Sequence, residues 1–150
     1  IKELRRTTQR IILFRYHWRT QKPRAGQDRM RDDRKRLFAA VGNRQMEWSK
    51  VGPLVDDLQG AWAAVVLTSN AAVRVAVEGI PLFVGSPGCM ALDVASTDLA
   101  SIEQPDMPNR ERWVHRLAYC QWNTAELEDG TAWRHLRDHA CRPPTDGRPR

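Results

Sequence analysis

The chain lacks any long hydrophobic run. No stretch approaches the roughly 18 uninterrupted apolar residues that a membrane-spanning helix needs, so a helical integral membrane protein is not expected. Cysteine is scarce: Cys89, Cys120 and Cys141 are three in number and irregularly spaced, which makes no disulfide framework and suits a reducing compartment. The start, IKELRRTTQRIILFRY, is basic but has no apolar core ending in a small-residue cleavage site, so it does not read as a signal peptide and a cytoplasmic location is expected. The first residue is Ile1 rather than Met, which suggests a fragment whose N-terminal part is missing. Lysine is rare as well: 4 of the 24 basic residues are Lys and the other 20 are Arg.

What is present suits one α/β domain. The length, 150 residues, matches the roughly 100–150 of a common domain. The formal net charge of +6 is uneven: residues 1–50 carry 15 basic and 5 acidic side chains, residues 51–150 carry 9 and 13. A basic half of this kind raises a polyanion or nucleic-acid surface as one reading. The densest run, Arg29 to Arg36, interleaves Asp32 and Asp33, and Asp32 and Arg36 are spaced to pair on a helix, which favours a solvated face instead.

Residues 1–9 read as a helix end or a linker. Arg10–Arg15 is a short apolar run suited to a buried strand. Residues 16–27 read as a loop, residues 28–41 as a helix before Gly42, and Gln45–Ser49 as a short strand. Pro53 is placed to open a helix through Leu58. Ala63–Leu67 is continuous and apolar, as a parallel strand covered on both faces would be. Thr68, Ser69 and Asn70 follow as cap-type residues before a helix over Ala71–Glu78. Gly79 ends that helix, Leu82–Val84 is another strand, and Gly85–Gly88 is a turn. Strand, turn, helix, glycine, strand is a βαβ unit, and with the upstream strand it predicts a doubly wound, mostly parallel small sheet, Rossmann-like, over residues 10–140. Its C-terminal segment reads as two helices, Asn109–Trp122 and Thr124–His139, the second with Leu127, Trp133 and Leu136 on its apolar side and interrupted or bent by Gly130, and Trp113, Trp122 and Trp133 serve as core anchors. Residues 141–150 read as a disordered tail.

Open α/β sheets bind ligands beyond the carboxyl ends of their strands. Three such ends are Arg15 and His17 after the first strand, Thr68–Asn70 after the second, and Ser86 within the Gly85–Gly88 turn. The Thr68–Asn70 bend combines hydroxyls with the unpaired N–H groups of a helix start, which attract phosphate. Ser69 or Asn70 acting as a simple helix cap is the competing reading. Arg15 and His17 supply charge that can grip a phosphate. The turn at 85–88 lacks the spacing and the lysine of a P-loop. His135, His139 and Cys141 have metal-ligand spacing on a helix, but no CxxC or HExxH partner accompanies them, so no metal is expected. His115 and Cys120, five apart, make a poor nucleophile–base pair.

The string AWAAVVLTSNAAVRVAVEGIPLFVGSPGC resembles the nucleotide-sugar-binding, C-terminal half of GT-B-type glycosyltransferases, of the capsular-polysaccharide and Kdo-transferase-like kind with their phage and bacterial relatives. Thr68, Ser69, Asn70, Glu78, Gly79 and Pro81 fall within that family's strand–turn–helix pattern. Arg15 and His17 match its first strand end, with Tyr16 and Trp18 where the family has prolines, and Arg74-Val75-Ala76 stands where relatives carry an acidic helix residue. RWVHRLAYCQWNTAELEDGTAWRHL is similar to the closing helical segment of the phage-type members. The resemblance implies a nucleotide-sugar donor as substrate, a glycan or lipid-linked acceptor, no bound metal or other cofactor, and a missing N-terminal domain. It also implies that Arg15, His17, Thr68, Ser69, Asn70 and Ser86 surround the donor phosphate. A non-catalytic interaction module on the same fold is the alternative.

Overall fold

A computed structural model describes residues 1–16, 32–33, 35–39, 45–50 and 52–140. The chain forms two compact units, one over residues 1–110 and one from Glu111 onward. The first is mixed α/β and the second is helical.

Helix α1 (Lys2–Thr7) opens the chain and occupies most of residues 1–9, with Thr8 already extended. Its one buried residue, Leu4, joins Phe83 and Ile102 in an apolar cluster, against which Ile12, Ala63 and Leu99 pack. Strand β1 (Ile12–Phe14) pairs in parallel with β2 (Met46–Trp48), with Ile12 opposite Met46 and Phe14 opposite Trp48. Helical residues 35–39 belong to the long connection between these strands; the rest of the expected helix over 28–41 lies outside the described residues, apart from residues 32–33, which are helical. Phe38 from this helix meets Trp48 edge to face with ring centres 5.9 Å apart. Phe14 and Tyr16 meet Trp48 at 5.1 and 5.3 Å, completing an aromatic cluster at the exits of β1 and β2. Burial there raises the Tyr16 phenol above its ordinary pKa, with the Asp33 carboxylate adding to the shift.

Helix α2 (Leu54–Leu58) follows Pro53, and a second parallel pair comes after it in sequence. Strand β3 (Ala64–Val66) and strand β4 (Leu82–Val84) flank helix α3 (Ala71–Val77), with Ala64 opposite Leu82 and Val66 opposite Val84. This is the expected strand–helix–strand unit. Parallel neighbours need a crossover, and a helix with one apolar stripe fills it. That stripe is Ala72, Val75 and Ala76, all buried at the i, i+3, i+4 spacing. All three residues of β4 are buried, and Phe83 is 1% exposed. Ser96 adds one further parallel bridge beside Phe83.

The end of α3 is secured twice. Gly79 takes the left-handed conformation (φ +79°), and the Ile80 N–H reaches back to the Val75 carbonyl at 3.2 Å, closing the helix in the manner that favours glycine. Arg110 then donates to the carbonyls of Ala76 (2.7 Å) and Ile80 (2.8 Å). Burial of this guanidinium lowers its pKa below the ordinary value.

The two ladders are separate in their hydrogen bonding: the strand expected over residues 10–15 pairs with Met46–Trp48, not with the strand after Trp62. Strand β3 also differs from the expectation of cover on both faces, since Val65 is 41% exposed.

The second unit holds α4 (Glu111–Tyr119), α5 (Thr124–Glu128) and α6 (Thr131–Ala140). Asn123 caps α5 with a reciprocal box: its side chain accepts from the Glu126 N–H (3.0 Å), and the Glu126 carboxylate accepts from the Asn123 N–H (2.8 Å). Gly130 (φ +77°) interrupts the second of the expected helices, dividing it into α5 and α6. The division has a consequence for the expected apolar side. A 3.6-residue period cannot run through a left-handed residue, so Leu127 and the pair Trp133 and Leu136 do not share one stripe. Trp113 is buried as expected and Trp122 is half-buried. Trp133 is 70% exposed, and Ala132 is the buried residue of its turn, so the reading of Trp133 as a core anchor is corrected. Residues 141–150, read from sequence as a disordered tail, lie outside the described residues.

Candidate functional site

The exits of β3 and β4 form a joint rim. The Gly85 N–H donates to the Val66 carbonyl at 2.9 Å, continuing the ladder one residue beyond β4 and drawing the two exit turns together. Gly85 also lies close to the Leu67 side chain: a Cβ on residue 85 would stand 3.0 Å from Leu67 Cδ1.

Thr68, Ser69 and Asn70 are all exposed on this rim. Asn70 occupies the cap position of α3 but already has helical backbone angles, and its side chain makes no capping bond. Ser69 takes that work: its Oγ accepts from the Ala71 N–H at 3.2 Å. Of the two cap candidates read from sequence, Ser69 is therefore the one that satisfies a helix-start donor. The Thr68 hydroxyl makes no hydrogen bond among the described residues. On the other side, Ser86 is half-buried and folds back on its own turn, its Oγ accepting from the Gly88 N–H at 3.3 Å. Thus the structure brings Thr68, Ser69, Asn70 and Ser86 to neighbouring turns.

Arg15 is differently placed. It follows β1, in the other ladder, and its guanidinium donates to the Asp57 carboxylate, to Ser49 Oγ (3.1 Å), and to the Gly52 carbonyl. Ser49 Oγ donates in turn to Asp57. The result is a clamp that ties the residue 49–53 loop and α2 to the exit of β1. A sequence reading finds the charge of Arg15 but not its partner, because Asp57 lies 42 positions away. His17, the remaining site candidate, lies outside the described residues.

The basic N-terminal residues are also internally engaged. Arg5 donates to the Arg10 carbonyl (2.9 Å) and to the Thr8 carbonyl. Arg10 pairs with Glu103 at 3.0 Å and lies over the Trp62 ring at 3.9 Å from its centre. Thr8, Arg10 and Glu103 line a shallow cavity of about 500 Å³ with Arg6, Thr7 and Gln9. Hydrogen bonding from Thr8, and then Arg10 beside it, holds the Glu103 carboxyl below its usual pKa. Sequence reasoning missed this Thr8–Arg10–Glu103 group, which is assembled by the packing of α1 on residues 99–103.

His115 and Cys120 are both exposed, while Cys89 is buried. Among the described residues, no three His, Cys, Asp or Glu side chains converge in a metal-binding group. No helix of the described residues is long and apolar enough to cross a membrane. In comparisons with known proteins, no family model, no curated protein and no solved structure matches the chain.

Proposed function

We propose that the chain is the nucleotide-sugar-binding half of a GT-B-type glycosyltransferase, with the donor phosphates seated on the rim between Thr68–Asn70 and Gly85–Gly88. The observation that carries this reading is the pairing of two exposed, hydroxyl-bearing exit turns by the Gly85–Val66 hydrogen bond, at the carboxyl end of a parallel βαβ unit. Ligands of open α/β sheets sit at that end. In finer detail, we read the two ladders as parts of one doubly wound, mostly parallel Rossmann-like sheet. The packing of Ile12 and Ala63 on one apolar cluster supports placing them in one sheet.

Within this arrangement the free Thr68 hydroxyl and the N–H groups at residues 68–70 hold a phosphate oxygen. His17 supplies charge as the nucleotide leaves, an electrostatic stabilisation of the developing anion. Arg15 is committed to Asp57, so its part is to hold the 49–53 loop at the exit of β1. A glycan or lipid-linked acceptor would be presented by a further domain preceding this one.

The test is titration of the chain with CMP-, UDP- and GDP-sugars, followed by the backbone amide signals of residues 68–71. At least one donor should shift them, and Ser69→Ala should weaken its binding. If all three leave those amides unmoved, the donor site is wrong. A second reading, a non-catalytic α/β interaction module, draws on the capture of Arg15 by Asp57. Under it, Ser69→Ala costs only about 1 kcal/mol of stability, the worth of a lost helix cap, and no donor binds.

A further inference from the structure

The His135/His139 pair on α6 lies apart from the rim and is not used by the reading above. The two residues are one helical turn apart and their rings already face each other, with centres 4.2 Å apart and planes 19° from parallel. His139 Nδ1 lies 2.9 Å from the His135 carbonyl oxygen. A carbonyl only accepts, so Nδ1 carries the proton, and the lone pair of neutral His139 is on Nε2. This is the arrangement found around metal-bound imidazoles, where a backbone carbonyl fixes the tautomer and orientation. His139 is exposed and His135 half-buried, so the pair is open to solvent. Tyr119 and Trp122 pack against the His135 ring at 4.7 and 4.9 Å, which restricts its swing.

We propose that His135 and His139 chelate one borderline divalent transition-metal ion, of the nickel, copper or zinc class, through one nitrogen each. Imidazole suits these ions better than magnesium or calcium. Metal–nitrogen bonds are about 2.0–2.1 Å and lie in the ring planes, so the two stacked rings must turn about their side-chain bonds to bring one nitrogen each onto a shared ion. Two protein ligands leave the remaining positions to water, which makes the site an exchangeable one rather than a structural one. Asp138, between the two, is hydrogen-bonded to Arg137 at 2.8 Å and is not needed as a ligand.

The probe is Ni²⁺ alone, added to the full chain and followed by calorimetry and by the histidine ring signals in NMR. One ion per chain should bind, broadening the rings of His135 and His139 before those of His17 and His115. His139→Ala should weaken binding at least tenfold with an unchanged far-ultraviolet spectrum. Cys141→Ser should leave it within about twofold. Because His135 packs against Trp122, His135→Ala is judged only together with the exposed His139 variant. Unchanged binding by His139→Ala, or His135 and His139 signals unaffected at saturating Ni²⁺, overturns the proposal. Because the variants lie on α6, this result is independent of whether the sugar-nucleotide titration succeeds.

Discussion

The two parallel ladders of this protein are held together in opposite ways. Strands β3 and β4 are joined by the short crossover of residues 67–81, and their stability comes from backbone bonds and from buried Ala72, Val75, Ala76 and Phe83. Strands β1 and β2 are separated by residues 15–45, and their exits are held by side chains: the Arg15–Asp57 clamp and the ring cluster around Trp48. A short connection closes cheaply and needs only a good apolar stripe, whereas a long one gains from specific long-range ties. The first kind of order is spread over many small contacts. The second is concentrated in a few groups.

That contrast can be broken most forcefully at Phe83. Phe83→Ala should lose about 3–5 kcal/mol, the usual cost of emptying an aromatic core position, and thermal unfolding will measure it. If the loss is small, the β3–β4 ladder is not the centre of the fold. Next comes Arg110→Ala, which leaves the Ala76 and Ile80 carbonyls without their charged donor. A loss of about 1.5–3 kcal/mol is expected in denaturant unfolding, because hydrogen bonds from charged groups sit in that range.

Asp57→Ala tests the other ladder. The Arg15 and Asp57 side chains are 27% and 17% exposed. Partial solvent screening reduces the cost of breaking such a pair to about 1–2 kcal/mol. The loss should come with a change in Trp48 environment, and native-state hydrogen exchange should quicken at β2 while β4 stays protected. Equal quickening in both would erase the distinction drawn above.

The smallest effect concerns Glu103. Its carboxyl pKa is lowered in the folded protein, chiefly by the Thr8 hydroxyl. A depressed folded pKa contributes stability above the unfolded carboxylate pKa, about 4.3, and that contribution is lost as pH falls through the folded value. Glu103→Gln should therefore flatten the acid side of the stability profile below about pH 4 and change little near neutrality. An unchanged acid limb would remove Glu103 from the account.

These differences also explain what the sequence could tell. The strand–helix–strand block was legible because its signals are local: a continuous apolar run, cap residues, and a glycine at a left-handed helix end. Gln45–Ser49 was readable as a strand, but not as the partner of β1, since pairing across a long connection leaves no periodic trace. The exposed Trp133 escaped because one glycine resets the helical phase between Leu127 and Ala132. On the rim, the placement of Ser69, Thr68 and Ser86 in strand-exit turns was legible from turn chemistry. The capture of Arg15 was not, because charge alone does not reveal which carboxylate will meet it.

The narrow gap at residue 85 has a practical corollary. Gly85 does not have the left-handed backbone that would demand glycine, and the only atom an added methyl would crowd is the tip of the solvent-exposed Leu67 side chain. A small residue there would act as a shim, nudging Leu67 aside without disturbing the Val66 bond. The rim between the two turns can thus be re-profiled by a single substitution that leaves the scaffold intact.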